Sequence, residues 1–455
     1  METVDPRLSF TDTLFWLSDS PCVTNILIFE EGEQPPTRRD VEDWLLERID
    51  RSPLLTSTIT PIRGHLAYPR WVETGVDVRD HVTVEHCTTS GWSEIGRRLV
   101  RLGMTPLAER MPPWRMSVFT GVTDVEGFPE TATVVGFQMS HAAVDGLALA
   151  HLIRTLFGPE RREQWRFEVE RFAGLRSAMD TPVKLTRLLR AVGKSLTSFT
   201  RTAVASPHPL LPRTRLNGKL TGEAEHTFVT LGVQEMKRVG RTLGGCTVND
   251  VALAVISGAM RSYLDMAGEL PEHSLAVHVP ISTRTAGPVL GNQVGSMSIS
   301  LCTDIDDSEG RLRAIHEKAS VEKRRFSETA RNENWVENVP VPLLWAATKL
   351  PAPQQGNADQ ISFSNTIASN IPRGAANLSF LDMPVRSSLE MTGVVDGRGV
   401  SHMIASIGDV LTISVCFDSG ILPDPEGYRG LLVSEFEALQ VRADEVQAEA
   451  AAQNG

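Results

Sequence analysis

Segments with a strand-like pattern alternate with segments of helical periodicity along both halves of the chain. In the first half, residues 22–30 and 131–139 are apolar runs of strand length, and a predicted helix with a Thr37 cap follows the first of them. In the second half, Thr247 caps a long predicted helix, and strands are predicted as far as 410–418. At 455 residues the chain is too long for one ordinary hydrophobic core. The sequence therefore predicts an α/β (α+β) fold in two domains.

A basic segment that contains several prolines separates the two halves. Residues 159–203 have a helical pattern, in which leucines share the period with lysines and arginines, and the Pro-rich run 206–213 ends it. Residues 181–222 include no acidic residue. We therefore predict an N-terminal domain over 1–180, a linker over 181–222 and a C-terminal domain over 223–455. The linker is either a surface that docks on anionic lipid or attracts the phosphates of a ligand, or a solvated helix between domains.

Composition limits the partners and the compartment. The formal net charge of −11 argues against nucleic acid as a partner, because phosphate binding needs a basic field. The five cysteines include no C-x-x-C pair, which predicts buried free thiols in a reducing compartment and no zinc site. The N-terminal residues do not have the pattern of a signal peptide, and no apolar run approaches the roughly 18 residues of a membrane span. We expect a cytoplasmic protein that meets a membrane or lipid droplet only at its surface.

The motif His141-Ala-Ala-Val-Asp145-Gly146 lies where a hydrophobic strand ends and a helix begins. A histidine at a strand end is held rigidly, and its ordinary pKa lets it act as a general base on a hydroxyl at neutral pH. Asp145 either orients the imidazole, as in a catalytic triad, or caps the helix that follows, and the capping role is favoured. Gly146 supports the capping role because it lets the backbone pack closely. Taken alone, the motif also fits a core histidine without a catalytic role.

Further segments of the chain, in the right order, resemble the bacterial wax ester synthase/diacylglycerol acyltransferase family. The SHAAVDG segment occupies the place of that family's double-histidine motif H-H-x-x-x-D-G. The other segments that carry the resemblance are LSFTDTLFWLSDSP, SPLLTSTITPIRGHLAYPRWVE with Trp71, MPPWRMSVFTG, TVNDVALA, VPISTRT with GNQVGSMSISLCTD, SNTIASNIPRG and SIGDVLTISVCFD.

The resemblance implies two chloramphenicol acetyltransferase-like domains, with mixed sheets flanked by helices and a channel between them. It implies an acyl-CoA-dependent O-acyltransferase that forms wax esters or triacylglycerols, with no cofactor and no metal ion. Its partners would be acyl-CoA and a hydroxyl-bearing acceptor such as a long-chain alcohol or diacylglycerol. The catalytic histidine of the family maps onto His141, which would take the hydroxyl proton and return it to the departing thiolate.

Two other positions receive candidate roles from the resemblance. Asn249, or the amides that begin the helix over 248–264, would stabilise the oxyanion, although Asn249 and Asp250 fit N-terminal helix capping equally well. Arg284 lies where related folds carry an arginine that pairs with the aspartate of the histidine motif. The alternative for Arg284 is an ordinary surface arginine.

The chain departs from the family pattern at two places. Ser140 replaces the first histidine of the motif and can still exchange hydrogen bonds with a substrate. Ser369 and Asn370 retain the Ser-Asn motif and are candidate substrate-binding residues, but Arg373-Gly374 replaces the usual Gly-Pro after them. Neither departure removes the base, but together they add an alternative to the usual substrates: a member specialised for another acyl acceptor, such as a secondary-metabolite alcohol.

Two competing functions remain open at the level of sequence. One is an acyltransferase of the same fold that takes its acyl group from a carrier protein. The other is a lipid-binding homologue without catalysis. A thiol-release assay with free acyl-CoA separates both from the favoured function. A thiol nucleophile at Cys246 is disfavoured, because that residue precedes a capped helix and has no evident histidine partner.

Overall fold

The computed structural model describes most of the chain. The described residues are 2–18, 20–62, 67–87, 91–127, 131–159, 162–168, 186, 211–284, 289–329, 339–349, 360–361 and 364–454. Within these ranges no helix is both long enough and apolar enough to cross a bilayer.

The helices of the described residues flank two large sheets. They are α1 (Phe10–Leu17), α2 (Arg38–Leu46), α3 (Trp92–Met104), α4 (Gly146–Phe157), α5 (Val233–Thr242), α6 (Val248–Met266), α7 (Ser308–Thr329), α8 (Val341–Thr348) and α9 (Pro425–Asn454).

The strands are distributed over both halves. They are β1 (Glu2–Val4), β2 (Val23–Glu30), β3 (Ser57–Thr60), β4 (Arg70–Glu73), β5 (Val82–His86), β6 (Trp114–Val122), β7 (Ala132–Met139), β8 (Trp165–Phe167), β9 (Leu211–Pro212), β10 (Ala224–Gly232), β11 (Ala276–Ser282), β12 (Val294–Ser300), β13 (Gln360–Ile361), β14 (Thr366–Pro372), β15 (Ser379–Phe380), β16 (Met383–Met391), β17 (Val400–Ile407) and β18 (Val410–Asp418).

The longer strands form two six-stranded mixed sheets. The first has the order β15-β16-β2-β7-β6-β5, with a parallel pair at β5 and β6. The second has the order β10-β18-β17-β14-β11-β12, with parallel pairs on both sides of β14. Mixed sheets flanked by helices were the predicted architecture, and the structure confirms it.

Strand β16 joins the two halves. It comes from the C-terminal part of the sequence but pairs antiparallel with β2 of the first sheet. The hydroxyl of Thr412, on β18 of the second sheet, donates to the carbonyl of Ser388 on β16 at 2.8 Å. The two sheets are therefore connected through this strand as well as through the linker.

Short polar signals set the starts of several helices. Ser9, Thr37 and Thr247 each form a capping box with an aspartate three residues later, so two otherwise unpaired main-chain amides are satisfied at each start. Asp145 caps α4 by accepting from the main-chain amide of Ala148 at 2.9 Å. Residues 140–145, between β7 and α4, are called the histidine loop below. The helix that carries the motif glycine therefore begins directly after this loop.

The structure differs from the sequence prediction over 159–203. Trp165–Phe167 is strand β8, which pairs in parallel with β1. Trp165 and Phe167 are buried on either side of an exposed Arg166, a period of two that suits a strand. Apart from residue 186, residues 169–210 lie outside the described residues, and these include the rest of the predicted helix and most of the Pro-rich run 206–213. Leu211–Pro212, in the last part of that run, is strand β9. The domain boundaries therefore stay a prediction.

The predicted strand over 361–370 is two shorter strands, β13 and β14. All five cysteines are buried free thiols, as expected from their spacing.

Candidate active site

The histidine loop connects β7 to α4. The main-chain amide of its first residue, Ser140, donates a hydrogen bond to the carbonyl of Pro113 at 2.9 Å. The Ser140 hydroxyl accepts from the main-chain amide of Ala142 at 3.2 Å, and the Ser140 carbonyl accepts from Ala143 at 2.9 Å. Ser140 therefore stabilises the turn that presents His141.

The imidazole of His141 stacks on Phe15 of α1. The ring centroids are 4.0 Å apart and the planes differ by 14°. The Nδ1 atom is buried and has no hydrogen-bond partner in another residue of the described chain. Burial lowers the pKa of His141 from its ordinary 6.5, against smaller opposing effects of its own carbonyl and of Asp145 and Asn292. The imidazole is therefore neutral at physiological pH, which is the state a general base needs.

Asp145 and Arg284 form a buried ion pair beside the histidine loop. An Arg284 nitrogen lies 2.6 Å from Asp145 Oδ2, and the two side chains are 13% and 3% exposed. Arg284 also donates to the carbonyls of Leu290 at 3.1 Å and Gly291 at 2.8 Å. Because Asp145 Oδ2 accepts in addition from the main-chain amide of Gln293 at 3.0 Å, both carboxylate oxygens are occupied by contacts other than the imidazole.

Asn292 connects three segments of the chain. Its Nδ2 donates to Asp12 Oδ1 at 2.8 Å and to the main-chain carbonyl of His141 at 2.6 Å. Its main-chain amide donates to the same Asp12 oxygen at 2.8 Å. The adjacent Gly291 amide donates to Ala143 at 3.2 Å, within the histidine loop. Helix α1, the histidine loop and the loop before β12 therefore meet at His141.

Gly146 allows α4 to approach β14. A Cβ at this position would lie 2.2 Å from the Cδ1 atom of Ile371. A larger residue would require the Ile371 side chain or the start of α4 to shift, so the close approach of this side chain favours glycine here.

Asn249 and Asn370 lie together, away from the hydrogen bonds of the histidine loop. Asn370 Nδ2 donates to Asn249 Oδ1 at 3.3 Å, which leaves the Asn249 NH2 group as a free donor among the described contacts. The neighbouring Asp250 belongs to the capping box of α6 and lies 2.7 Å from a nitrogen of His316. Ser369 is half-buried on β14, next to Asn370. No hydrogen bond joins these residues to His141 in the described chain.

A cavity of about 490 Å³ lies next to the histidine loop. Both Ser140 and the Phe15 ring that stacks on His141 contribute to its wall. The rest of the wall is mixed: Trp16, Met104, Met111 and Trp345 are large and apolar, whereas Glu109, Arg110 and Lys349 are charged. The cavity is large enough to hold part of a substrate beside the histidine loop.

Arg373 lies apart from this cavity. Its side chain is fully buried and forms an ion pair with the equally buried Glu390 of β16. Asn25 of β2 donates to Glu390 at 3.4 Å. Burial raises the pKa of Glu390 to about 7, and the opposing effect of the Arg373 charge is smaller. Arg373 therefore links β14 to the first sheet.

The structure brings together His141, Asp145, Gly146, Arg284 and Ser140, and it forms a second group from Asn249, Asn370 and Ser369. Sequence reasoning gave no role to Asp12, Phe15 or Asn292, although all three lie in quoted segments of the resemblance, LSFTDTLFW and GNQVG. The capping-box spacing from Ser9 to Asp12 was a readable signal for α1. No sequence signal showed that Asp12 would contact Asn292.

Two family models match the chain in sequence. Residues 8–252 match the wax ester synthase/diacylglycerol acyltransferase catalytic domain. Residues 290–440 match the C-terminal domain of the same family.

Individual relatives and solved structures agree with this match. Two Mycobacterium tuberculosis proteins named as putative diacylglycerol O-acyltransferases are each 26% identical to this chain. The match to the first covers 83% of this chain and 85% of the relative. The match to the second covers 92% of this chain and 87% of the relative. A wax ester synthase/diacylglycerol acyltransferase structure from Marinobacter aquaeolei VT8 has a TM-score of 0.64 at 20% identity and covers 96% of this chain and 100% of its own. A starter condensation domain of rhizomide synthetase, solved with C8-CoA, has a TM-score of 0.55 at 11% identity and covers 96% and 94%.

Proposed function

The chain belongs to the wax ester synthase/diacylglycerol acyltransferase family, and from this membership we propose that it transfers an acyl group from acyl-CoA to a hydroxyl, with His141 as the general base. The observation that carries the role of His141 is its setting: a neutral imidazole with a buried Nδ1 atom, stacked on Phe15, which is itself part of the wall of a cavity. A base in this setting is held rigidly beside space for a substrate.

The proposed reaction needs one proton carrier and no covalent acyl-enzyme. His141 takes the proton from the acceptor hydroxyl while the hydroxyl oxygen attacks the thioester carbonyl. The carbon–sulfur bond then breaks, the acyl group stays on the acceptor oxygen as an ester, and the imidazolium returns its proton to the CoA thiolate. We propose that the protein's own side chains suffice for this reaction without a cofactor.

The developing oxyanion requires a hydrogen-bond donor, and Asn249 is our candidate. The contact with Asn370 uses the Asn249 oxygen as acceptor and leaves its NH2 group for a ligand. Loss of one oxyanion donor lowers kcat by about 10²- to 10³-fold in other enzymes. Asn249→Ala is expected to lower kcat by that factor, and a loss smaller than about fivefold would assign Asn249 to the capping region of α6 alone.

The role of His141 is tested by thiol release from acyl-CoA in the presence of an alcohol. His141→Ala is expected to reduce turnover by at least about 10²-fold while acyl-CoA still binds. His226→Ala is the matched control, because His226 is another buried histidine, with a pKa lowered to about 3 by burial and no contact with the site. Equal activity of His141→Ala and His226→Ala would contradict the proposal, and binding without turnover in the unaltered protein would favour a lipid-binding homologue.

The acceptor is the finer part of the proposal. The large apolar residues of the cavity wall, Trp16, Met104, Met111 and Trp345, support an acceptor or acyl group with a hydrocarbon chain. Long-chain alcohols, diacylglycerol, short alcohols and amines should be offered with one acyl-CoA and the products identified by mass. We expect esters of long-chain acceptors. A preference for short alcohols or amines, or a requirement for an acyl-carrier protein as donor, would assign the chain to the alternatives raised by its sequence.

We also propose that the protein contacts a membrane or lipid droplet surface through its basic linker. The support is the sequence pattern, in which leucines and basic residues share the helical period. Replacing Arg187, Arg190 and Lys194 by glutamate is expected to weaken binding to anionic liposomes. Unchanged liposome binding would show that the linker is a solvated connection.

A further inference from the structure

We propose that helix α1 and Asn292 act together as a positioning unit for His141. Asp12, through Asn292, fixes the main chain of the histidine, and Phe15, one helical turn later, fixes its ring. The inference rests on the proposed catalytic role of His141. It adds three residues, Asp12, Phe15 and Asn292, that neither the histidine motif nor the other predicted site residues contain.

The first step is the fixed orientation of the Asn292 amide. Both hydrogens of its NH2 group are used, one toward Asp12 Oδ1 and one toward the carbonyl oxygen of His141. Rotating the amide by 180° would place its oxygen against a carboxylate and a carbonyl, two acceptors that cannot donate. The Asn292 side chain is 7% exposed, so water cannot easily replace either contact. Asn292 therefore fixes the position of the His141 main chain.

The second step is the anchoring of Asn292 by Asp12. The Asp12 Oδ1 atom accepts from both the main-chain amide and the side chain of Asn292, each at 2.8 Å. Its Oδ2 atom accepts from the amide of Ser9 in the capping box. A carboxylate in the first turn of a helix is stabilised by the helix dipole, which suits Asp12 to a buried site. The loop comes close enough only because Gly291 has a φ of +63°, and a Cβ there would lie 2.9 Å from Asp12.

The third step is the contact of α1 with the ring. Phe15 lies three residues after Asp12, so both side chains project from the same face of α1. Its ring covers one face of the His141 imidazole at a centroid distance of 4.0 Å. The carbonyl and the ring of His141 are therefore both fixed by α1, the first through Asn292 and the second directly.

Positioning matters for this chemistry because a general base must lie within hydrogen-bond distance of its proton. A displacement of about 1 Å can cost about 10²-fold in rate. A unit that fixes the base without touching the substrate should change kcat much more than KM.

The first test is Asn292→Ala, compared with Asn217→Ala. Asn217 is the matched control because it is a fully buried asparagine that also donates to two carbonyls, those of Asn365 at 2.9 Å and Gly397 at 3.0 Å. We expect Asn292→Ala to lower kcat by about 10²-fold with KM values within about threefold, and Asn217→Ala to change neither by more than about threefold. Equal effects on kcat from both substitutions would overturn the inference.

The pH profile is a second readout that a merely structural role would not move. The negative charge of Asp12 raises the pKa of His141 against the stronger effect of burial. Its removal should lower this pKa further, so the acid limb of kcat/KM in Asp12→Ala should move to lower pH. An unmoved acid limb would contradict the positioning unit.

A double-mutant cycle tests whether Asp12 and Asn292 act as one unit. The loss of kcat in Asp12→Ala with Asn292→Ala should equal that of either single variant, whereas additive losses would overturn the inference. If the alanine variants do not fold, Phe15→Leu keeps an apolar side chain but removes the flat contact, and an unchanged kcat in that variant would also overturn it. Activity that survives His141→Ala would instead contradict the proposed function, which keeps the two failures distinct.

Discussion

Asp145→Asn separates a catalytic aspartate from a structural one. Its carboxylate caps α4 through Ala148, accepts from Gln293 and pairs with Arg284, and no hydrogen bond joins it to the imidazole. In a catalytic triad the aspartate accepts from the imidazole, and its replacement by asparagine lowers kcat by about 10⁴-fold. We therefore expect Asp145→Asn to damage stability far more than turnover.

The size of the stability loss follows from the contacts. Asparagine caps a helix about as well as aspartate, so the contact with Ala148 costs little. The loss of the charge leaves Arg284, which is 13% exposed, without its counter-ion, and breaking a buried pair in this way costs about 3–5 kcal/mol. Arg284 keeps its hydrogen bonds to Leu290 and Gly291, which points to the lower end, about 3 kcal/mol.

Urea unfolding and thiol release should be measured on the same preparations. We expect a lower unfolding midpoint and a kcat within about tenfold of the unaltered protein. Asp418→Asn is a suitable control, because Asp418 is also buried and accepts from three main-chain amides, those of Thr221, Gly222 and Gly420. A loss of about 10⁴-fold in kcat with an unchanged midpoint would refute the structural role of Asp145.

Three further outcomes follow from the geometry. Gly146→Ala should lower stability by about 1–3 kcal/mol in thermal unfolding, because its Cβ would meet Ile371 Cδ1 at 2.2 Å. Adding Ile371→Val removes that atom and should restore stability. If the double variant does not recover, the contact with Ile371 is not the cause. Because burial lowers the pKa of His141 below its ordinary 6.5, kcat/KM should fall as the base becomes protonated and reach half of its maximal value below pH 6.5; a half-maximal value above pH 6.5 would be inconsistent with this site. Arg373→Met should lower the free energy of unfolding in urea by about 3–5 kcal/mol, because it leaves Glu390 buried and unpaired. Adding Glu390→Leu should restore most of that stability. Equal losses in the single and double variants would mean that the two charges do not depend on each other.

Helix starts were the part of the fold that the sequence predicted best. Thr37 and Thr247 cap helices at the predicted positions, because a capping box is a local signal that needs only four consecutive residues. The strand–helix junction at His141 was predicted for a similar reason, since an apolar strand ends there and Asp145 caps the next helix.

Strand β16 was missed because its polar residues are buried. Ser387, Ser388 and Glu390 are each at most 3% exposed, since the strand lies between the two sheets. The apolar alternation of Met383, Val385, Leu389 and Met391 is interrupted at Ser387, so the usual strand signal is weakened in this segment. Only tertiary contacts, such as the ion pair of Glu390 with Arg373, explain these residues.

The candidate site was predicted in part. The resemblance led to His141, Asp145 and Arg284, and the last two lie in contact. Asp12 and Asn292 are separated by 280 residues, and nothing local to either of them encodes their hydrogen bond. Contacts of this kind depend on how distant parts of the chain pack together, and no local sequence pattern predicts that packing.

The two departures from the family pattern have different structural meanings. Arg373 is buried against Glu390, so its presence is explained by the connection of β14 to the first sheet and gives no information about the acceptor. Ser140 holds the histidine turn through Ala142, and it also contributes to the wall of the cavity next to His141. A histidine at this position would add a ring to that wall. Differences in acceptor preference within the family should therefore follow residue 140 and the residues around the cavity, and not the arginine at 373.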